Sequence, residues 1–410
     1  MKENKLLENF MSLIVIKGFD FVVPLITLPY LVVHLGLDKY GLINLALSLT
    51  VYFSSFIQFG FNLTTTKEIA RNRSDQKTVE KHYSLTFFSS LYLTIISFII
   101  FSSIIFSFDK FSQYYLVYFI CFTSMIFRAN LPVWVFQGYE QMKYITYLNL
   151  FSRFVFVFGM FLLIHNPSDY LYMPVLQAFS SLICFIASII LIKYQFGVFI
   201  RYQRINEIFN YIWKSRNIFI SQFAPNLYSN SSVFILGVFS SNNVVGIFTA
   251  ASKVIDVFGS FAYVVSNTFF PYIARNLQAH EKFKNIMFIA GIGLTITLLI
   301  FANFIATILF KSDSEVIATN IRYLSPAVLL IFIQLTYGSN FLILVGKDKI
   351  VKNIVLFFSV FSLSYSIPLI HEFNIYGSIA NLIVTRILIV SFFIWFYLEF
   401  KKSNKNVKNG

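Results

Sequence analysis

Six basic residues, Lys17, Arg128, Arg153, Lys253, Arg322 and Arg386, lie inside stretches otherwise apolar enough to cross a bilayer, accompanied there by two acids, Asp20 and Asp256. A charge at the bilayer centre costs roughly 2.5–3.5 kcal/mol on insertion scales, so it is kept where it faces a cavity, a partner or a transported ion. Cations in excess of acids at that depth point to chemistry on an anion. Arg128 and Arg153 flank one hairpin at similar depth with no acid beside them. Two guanidiniums facing one another repel unless an anion or water lies between them, and the planar guanidinium fork suits phosphate.

The other charges divide by spacing. Lys17 with Asp20, and Lys253 with Asp256, are three residues apart and share a helix face, so each pair either neutralises itself or serves a ligand. Lys17 also lies near enough to a span end to snorkel. Arg386 is mid-span and is a further candidate contact, whereas Arg322, one turn from the opposite surface, reads as an interfacial anchor. Asp20 and Asp256 are the candidate ion-coupling acids. Among uncharged polar residues inside spans, Asn62 and Asn226 fall in the second and seventh, which tend to line the cleft of a two-lobed carrier.

These residues need a membrane bundle to hold them. The 410 residues are 57% hydrophobic and 12% charged, against about 25% charged in a soluble domain. Apolar runs of spanning length fall near 10–33, 40–63, 84–107, 114–136, 145–164, 171–192, 216–239, 246–270, 286–310, 321–345, 354–370 and 377–398. Twelve spans place both termini on one side. All loop lysines and arginines except Lys39, Lys110 and Lys311 fall on that side, which the positive-inside rule makes cytoplasmic. The net charge of +14 is therefore mostly topology, and nucleic-acid binding is not expected. The first run, broken by Lys17 and Asp20 and lacking a small-residue cleavage site, reads as a span rather than a signal peptide.

The chain divides into halves: an N-terminal six-helix lobe over 1–195, a cytoplasmic linker over 196–215, a C-terminal six-helix lobe over 216–400 and a basic tail over 401–410. Gly41 opens the second span and Ile69-Ala70-Arg71-Asn72 closes it; Gly246 opens the eighth and Ile273-Ala274-Arg275-Asn276 closes it. The pattern reads as parallel repeats with a substrate site between them near the midplane. Pro24, Pro29, Pro132, Pro225 and Pro326 are candidate kinks.

Several chemistries are excluded. Gly346-Lys347-Asp348 lacks the rest of a phosphate-cradling loop, and His34, His82, His165, His280 and His371 occur singly, as interfacial residues rather than metal ligands. Cys121 and Cys184 lie within spans as small buried hydrophobes. No cofactor or metal is expected, and short outer loops disfavour a polymerase or transferase. A drug or metabolite antiporter of the same architecture is the main alternative, expected to carry more cavity acids.

Three runs carry a resemblance: Asp38-Lys39-Tyr40-Gly41-Leu42-Ile43-Asn44; Phe59-Gly60-Phe61-Asn62-Leu63-Thr64 leading to Glu68-Ile69-Ala70-Arg71; and Pro132-Val133-Trp134-Val135-Phe136-Gln137-Gly138-Tyr139-Glu140. With these the chain resembles the Wzx O-antigen flippases of bacterial inner membranes, in the multidrug/oligosaccharidyl-lipid/polysaccharide exporter superfamily. The resemblance implies an all-α polytopic protein with twelve helices in two parallel six-helix lobes around a central cationic cavity. It also implies alternating-access transport of an undecaprenyl-diphosphate-linked oligosaccharide, alongside membrane lipids and other polysaccharide-assembly membrane proteins. Arg128, Arg153, Lys17 and Lys253 would hold the diphosphate, and Trp134 would stack on sugar or anchor at the interface.

Overall fold

A computed structural model describes the backbone of residues 2–409. Its side chains are described over 23–402, apart from Ser221, Ala224, Pro225, Leu227, Tyr228, Ser229 and Ser312. Lys17, Asp20 and Pro225 thus lie outside the described side chains.

The fold is all-α, as expected of a chain that must satisfy every backbone group inside lipid. Helix α1 (Lys2–Gln58) runs for 57 residues with non-helical geometry at Gly36. Unbroken it would measure about 85 Å, nearly three times the hydrocarbon thickness. Next come α2 (Phe61–Arg71), α3 (Gln76–Ser107), α4 (Tyr115–Ala129), α5 (Val133–Gly138), α6 (Met142–Leu163) and α7 (Tyr172–Phe196). After the linker stand α8 (Ile205–Ser229), α9 (Ser231–Phe239), α10 (Asn242–Arg275), α11 (His280–Phe310), α12 (Ser314–Leu324), α13 (Pro326–Gln334) and α14 (Asp348–Asn409).

Among the described residues nine stretches are long and apolar enough to cross a membrane. Two of them, Val23–Arg71 and Asp348–Lys402, are far longer than a bilayer and are divided at Gly36 and Asn374. With α8 and α9 on the stretch expected to be the seventh span, the layout is consistent with twelve crossings. The helix breaks at Pro132 and Pro326 fall where the prolines predict them, whereas Pro24 and Pro29 sit inside continuous helix. Gly36 and Asn374, with φ of 74° and 48°, turn the chain where no proline stands.

Two compact units emerge, one of residues 1–41 with 227–410, the other of residues 42–226. In the first, Gly41 and Gly246 pack against each other's helices: a Cβ at Gly41 would overlap the Asn242 carbonyl oxygen, and one at Gly246 the Leu37 carbonyl oxygen. Only glycine permits so close a backbone approach. The other end of the repeat is matched in one capping hydrogen bond. Asn72 caps α2 with its N–H donating to the Ile69 carbonyl, and Asn276 caps α10 with its N–H donating to those of Ile273 and Tyr272; Ile69 and Ile273 are both fully buried.

In the second unit the linker is fastened to α3. Buried Glu80 accepts from the Phe199 amide at 3.2 Å and from Arg201 Nε at 3.0 Å, while Ser84 Oγ accepts from the Arg201 amide at 2.8 Å.

Candidate functional site

The span formed by the second arm of α1 and by α2 carries serine, glutamine, asparagine and threonine at four-residue spacing, and the helix brings them onto one face. Gln58 Nε2 donates to Ser54 Oγ at 3.4 Å and Asn62 Nδ2 to Gln58 Oε1 at 3.3 Å. Thr66 Oγ donates to the Asn62 carbonyl and lies 3.2 Å from Gln137 Oε1. The result is a polar stripe running through membrane depth. Asn62 is thus part of the stripe, whereas Asn226 of α8 donates to Ser55 Oγ at 2.8 Å, one residue around the helix from it.

The stripe crosses a helix break. Phe59 and Gly60 both have positive φ, 41° and 75°, a conformation strained for a bulky side chain. Phe59 is held there by stacking on Phe219 of α8, with centroids 4.3 Å apart and planes 5° apart. A Cβ at Gly60 would meet the Phe219 amide nitrogen at 2.8 Å. Strain that packing over-determines in this way is found at ligand sites and switches.

Arg128 occupies the last turn of α4 and is exposed. The helix stops at once: Asn130 is the cap, its side chain donating to the Ile126 carbonyl at 2.9 Å and to Thr94 Oγ at 3.4 Å. A helix C-terminus favours a cation. The Arg128 guanidinium also experiences the charge of Arg153, half-buried on α6. Sequence placed these two arginines together, and the structure brings them within electrostatic reach.

The first unit treats its charges differently. Lys253 and Asp256 are exposed on α10 with Nζ and Oδ2 3.6 Å apart, so they neutralise each other along one helix face. Arg386 on α14 is partly buried, and its Nε is a buried nitrogen with no hydrogen-bond partner among the described residues. Five residues earlier, buried Asn381 donates to Ser232 Oγ at 2.9 Å, and its Oδ1 has no hydrogen-bond partner among the described residues. Arg322 is partly buried and its Nε reaches the Leu299 carbonyl at 3.4 Å.

Two readings need correction. Trp134 is 3% exposed, packed among Ile69, Tyr83 and Phe136, and therefore neither stacks on sugar nor anchors at the interface. The apolar face of short helix α5 needs a large filler there. His280 is likewise buried rather than interfacial, with Nε2 3.1 Å from the Thr336 carbonyl and Phe341 and Tyr397 around its ring. Sequence reading also missed Asn340, buried in a π-helical turn (Leu335–Leu342) and bonded to Ser266. It missed the Thr65, Thr86 and Tyr211 hydroxyl cluster too, where Thr65 Oγ lies 2.6 and 2.9 Å from its partners. Thr65 and Asn340 left no spacing signal; only the fold brings their partners up.

Residues 6–277 match the model of the family described as "Polysaccharide biosynthesis protein". The chain belongs to this family. Two curated relatives agree in length as well as sequence, each named "Putative O-antigen transporter". That of Escherichia coli (strain K12) is 24% identical over 97% of this chain and 98% of its own. That of Shigella dysenteriae is 24% identical over 94% and 98%. Both names are those of transporters, not enzymes. Among solved structures, the fold is similar to an inward-facing multidrug resistance MATE family transporter of the MOP superfamily, with TM-score 0.69, 14% identity and coverage of 93% and 96%. It is also similar to the lipid II flippase MurJ in an inward closed conformation, with TM-score 0.70, 14% identity and coverage of 94% and 87%. The chain is thus a multi-pass membrane protein of the polysaccharide biosynthesis family with a MATE- and MurJ-like fold.

Proposed function

We propose that the chain is a flippase for an undecaprenyl-diphosphate-linked oligosaccharide, an O-antigen or related repeat unit. It turns that lipid from the cytoplasmic to the periplasmic leaflet of the bacterial inner membrane, with both termini cytoplasmic. The observation that carries this reading is Arg128, a guanidinium at membrane depth on the broken end of α4, in a chain of the polysaccharide biosynthesis family. A guanidinium kept there suits an anion, and a lipid diphosphate is an anion whose tail stays in the bilayer.

Arg128 and Arg153 hold the diphosphate, and Asn62 and Asn226, with the stripe around them, face the sugar hydroxyls. Arg386 is a further cationic contact. Lys253 contributes little because Asp256 takes up its charge, and the same pair is the candidate for ion coupling. The lobes, 1–195 and 216–400, alternate between inward and outward access, and the ligand shifts that equilibrium only by binding the two states unequally. Polysaccharide-assembly proteins of the same membrane receive the product. The test is to delete the gene and measure which leaflet holds the lipid-linked repeat unit. Accumulation in the cytoplasmic leaflet is expected; normal surface polysaccharide would overturn the reading.

A further inference from the structure

One face of the wall helix, the second arm of α1 that carries the polar stripe, remains without a role. Opposite the polar stripe, Tyr52, Phe53 and Phe56 of α1, Ile100 of α3 and Phe219 and Phe223 of α8 line a cavity of about 200 Å³ with no polar surface. At 100° per residue, Tyr52 and Phe56 lie roughly half a turn around the helix from Ser54. One side of the span therefore binds polar groups and the other is wholly apolar. The lining is rigid: Tyr52 packs edge-on to Phe223 at 6.4 Å, Phe56 to Phe219 at 6.1 Å and Phe53 to Phe101 at 5.4 Å. Ile100, 46% exposed, stands at its mouth.

The order of groups along the membrane normal says what fits. Phe53 also meets Phe122 of α4 edge-on at 5.8 Å, and Arg128 follows Phe122 by six residues, about 9 Å nearer the basic ends of the spans. From those ends inward come the guanidinium and then, level with Phe53 and the rings around it, the slot. This is the order of an anionic lipid lying in the leaflet beside the basic loops, with its head outermost and its tail toward the bilayer centre.

We propose that the slot between α1, α3 and α8 binds the isoprenoid tail of the lipid diphosphate whose head is held at Arg128 and Arg153. The proposal rests on the flippase reading for the identity of that lipid. The physical fit is dispersion between flat rings and a branched, unsaturated chain. The tail lies on the bilayer side of the wall helix while the sugar occupies its polar side, so only the head crosses polar ground. Tail recognition also gives the protein a means of distinguishing its lipid from bulk phospholipid.

The test uses full-length protein in phospholipid nanodiscs and a polyprenyl diphosphate bearing a diazirine near the tail middle. After irradiation, labelled peptides are located by mass spectrometry. Labelling around Phe53, Phe56 or Phe219 that unlabelled polyprenyl diphosphate displaces and excess phospholipid does not is expected. Plugging the mouth with Ile100→Trp, at an exposed position, lowers that labelling about tenfold without lowering the amount of folded protein. Equal displacement by phospholipid, labelling elsewhere only, or unchanged labelling in Ile100→Trp would overturn the slot. None of these outcomes touches the leaflet measurement on the deletion strain, so the slot and the flippase reading fail separately.

Discussion

The two compact units handle intramembrane charge in opposite ways. In the unit of residues 42–226, Arg128 and Arg153 bring like charges within reach of one another, and the helix carrying Arg128 breaks beside them. In the other unit, Lys253 and Asp256 pair at 3.6 Å on one helical face. An opposite-charge pair lowers its own cost of insertion and needs no third party. A like-charge pair raises that cost, and an anion removes it. A count of intramembrane cations therefore overstates the site, because a cation with an acid three residues along is already paired.

The largest effect expected from breaking this contrast is at the arginines. A hydrogen bond to a charged group is worth about 1.5–3 kcal/mol. Arg128→Ala with Arg153→Ala should therefore reduce surface polysaccharide in a complemented deletion strain by about a hundredfold, at unchanged protein abundance. Arg153→Lys keeps the charge but loses the fork and should fall between. If the double variant restores full polysaccharide, the anion site is elsewhere.

Glycine tests the repeat. Gly41 and Gly246 sit in each other's way so closely that any side chain at either meets a backbone carbonyl, which cannot swing aside as a rotamer can. Overpacking of this kind costs about 1–3 kcal/mol. Gly246→Ala and Gly41→Ala should each lower the melting temperature of purified protein by similar amounts. A large effect at one alone would show that the repeats have diverged in packing. Gly293→Ala, where the added methyl meets nothing within 4 Å, is the matched control.

What was legible in sequence follows period and charge. The spans, the repeat ends at Asn72 and Asn276, the arginine pair and the polar residues Gln58, Asn62 and Asn226 are all local patterns or depth relations. The Glu80 to Arg201 clamp is not, because its partners lie 121 residues apart and each alone looks like a solvated loop charge. The positive φ of Phe59 was hidden for a similar reason: its cause is Phe219, on another helix. Trp134 was misread because aromatic residues near span ends suit an interface, and only packing shows that Ile69 and Phe136 enclose it. Periodicity gives the face of a helix, and the neighbour that covers the face comes from the fold.

A smaller effect is expected at the paired charges. Lys253 and Asp256 already neutralise each other at 3.6 Å, so removing both leaves no uncompensated charge behind. Lys253→Ala and Asp256→Ala together should leave surface polysaccharide within about threefold of wild type. If Lys253→Ala alone matches the loss at Arg128, the contrast between the units fails and Lys253 joins the anion site. If Asp256→Asn abolishes transport while Lys253→Ala does not, the acid carries the coupling ion.

The smallest effect sharpens the comparison outside the membrane, where charges pair in water. Arg73 donates to Glu140 between two loops on the basic side, and that hydrogen bond, with the guanidinium charge, holds the Glu140 carboxyl below its ordinary value of 4.5. A carboxyl lowered by folding contributes stability that is fully present above its unfolded value and is lost as pH falls through the lowered folded one. The wild type should accordingly melt slightly higher than Glu140→Gln at pH 7, and that advantage should shrink as pH falls below the ordinary carboxylate value of 4.5. Both groups are accessible to water, so salt screening should erase the difference. Salt should leave the Arg128 and Arg153 phenotype largely intact, because charges at membrane depth are not screened in the same way. A Glu140 effect that survives high salt would mean that the loop pair, too, is shielded from water.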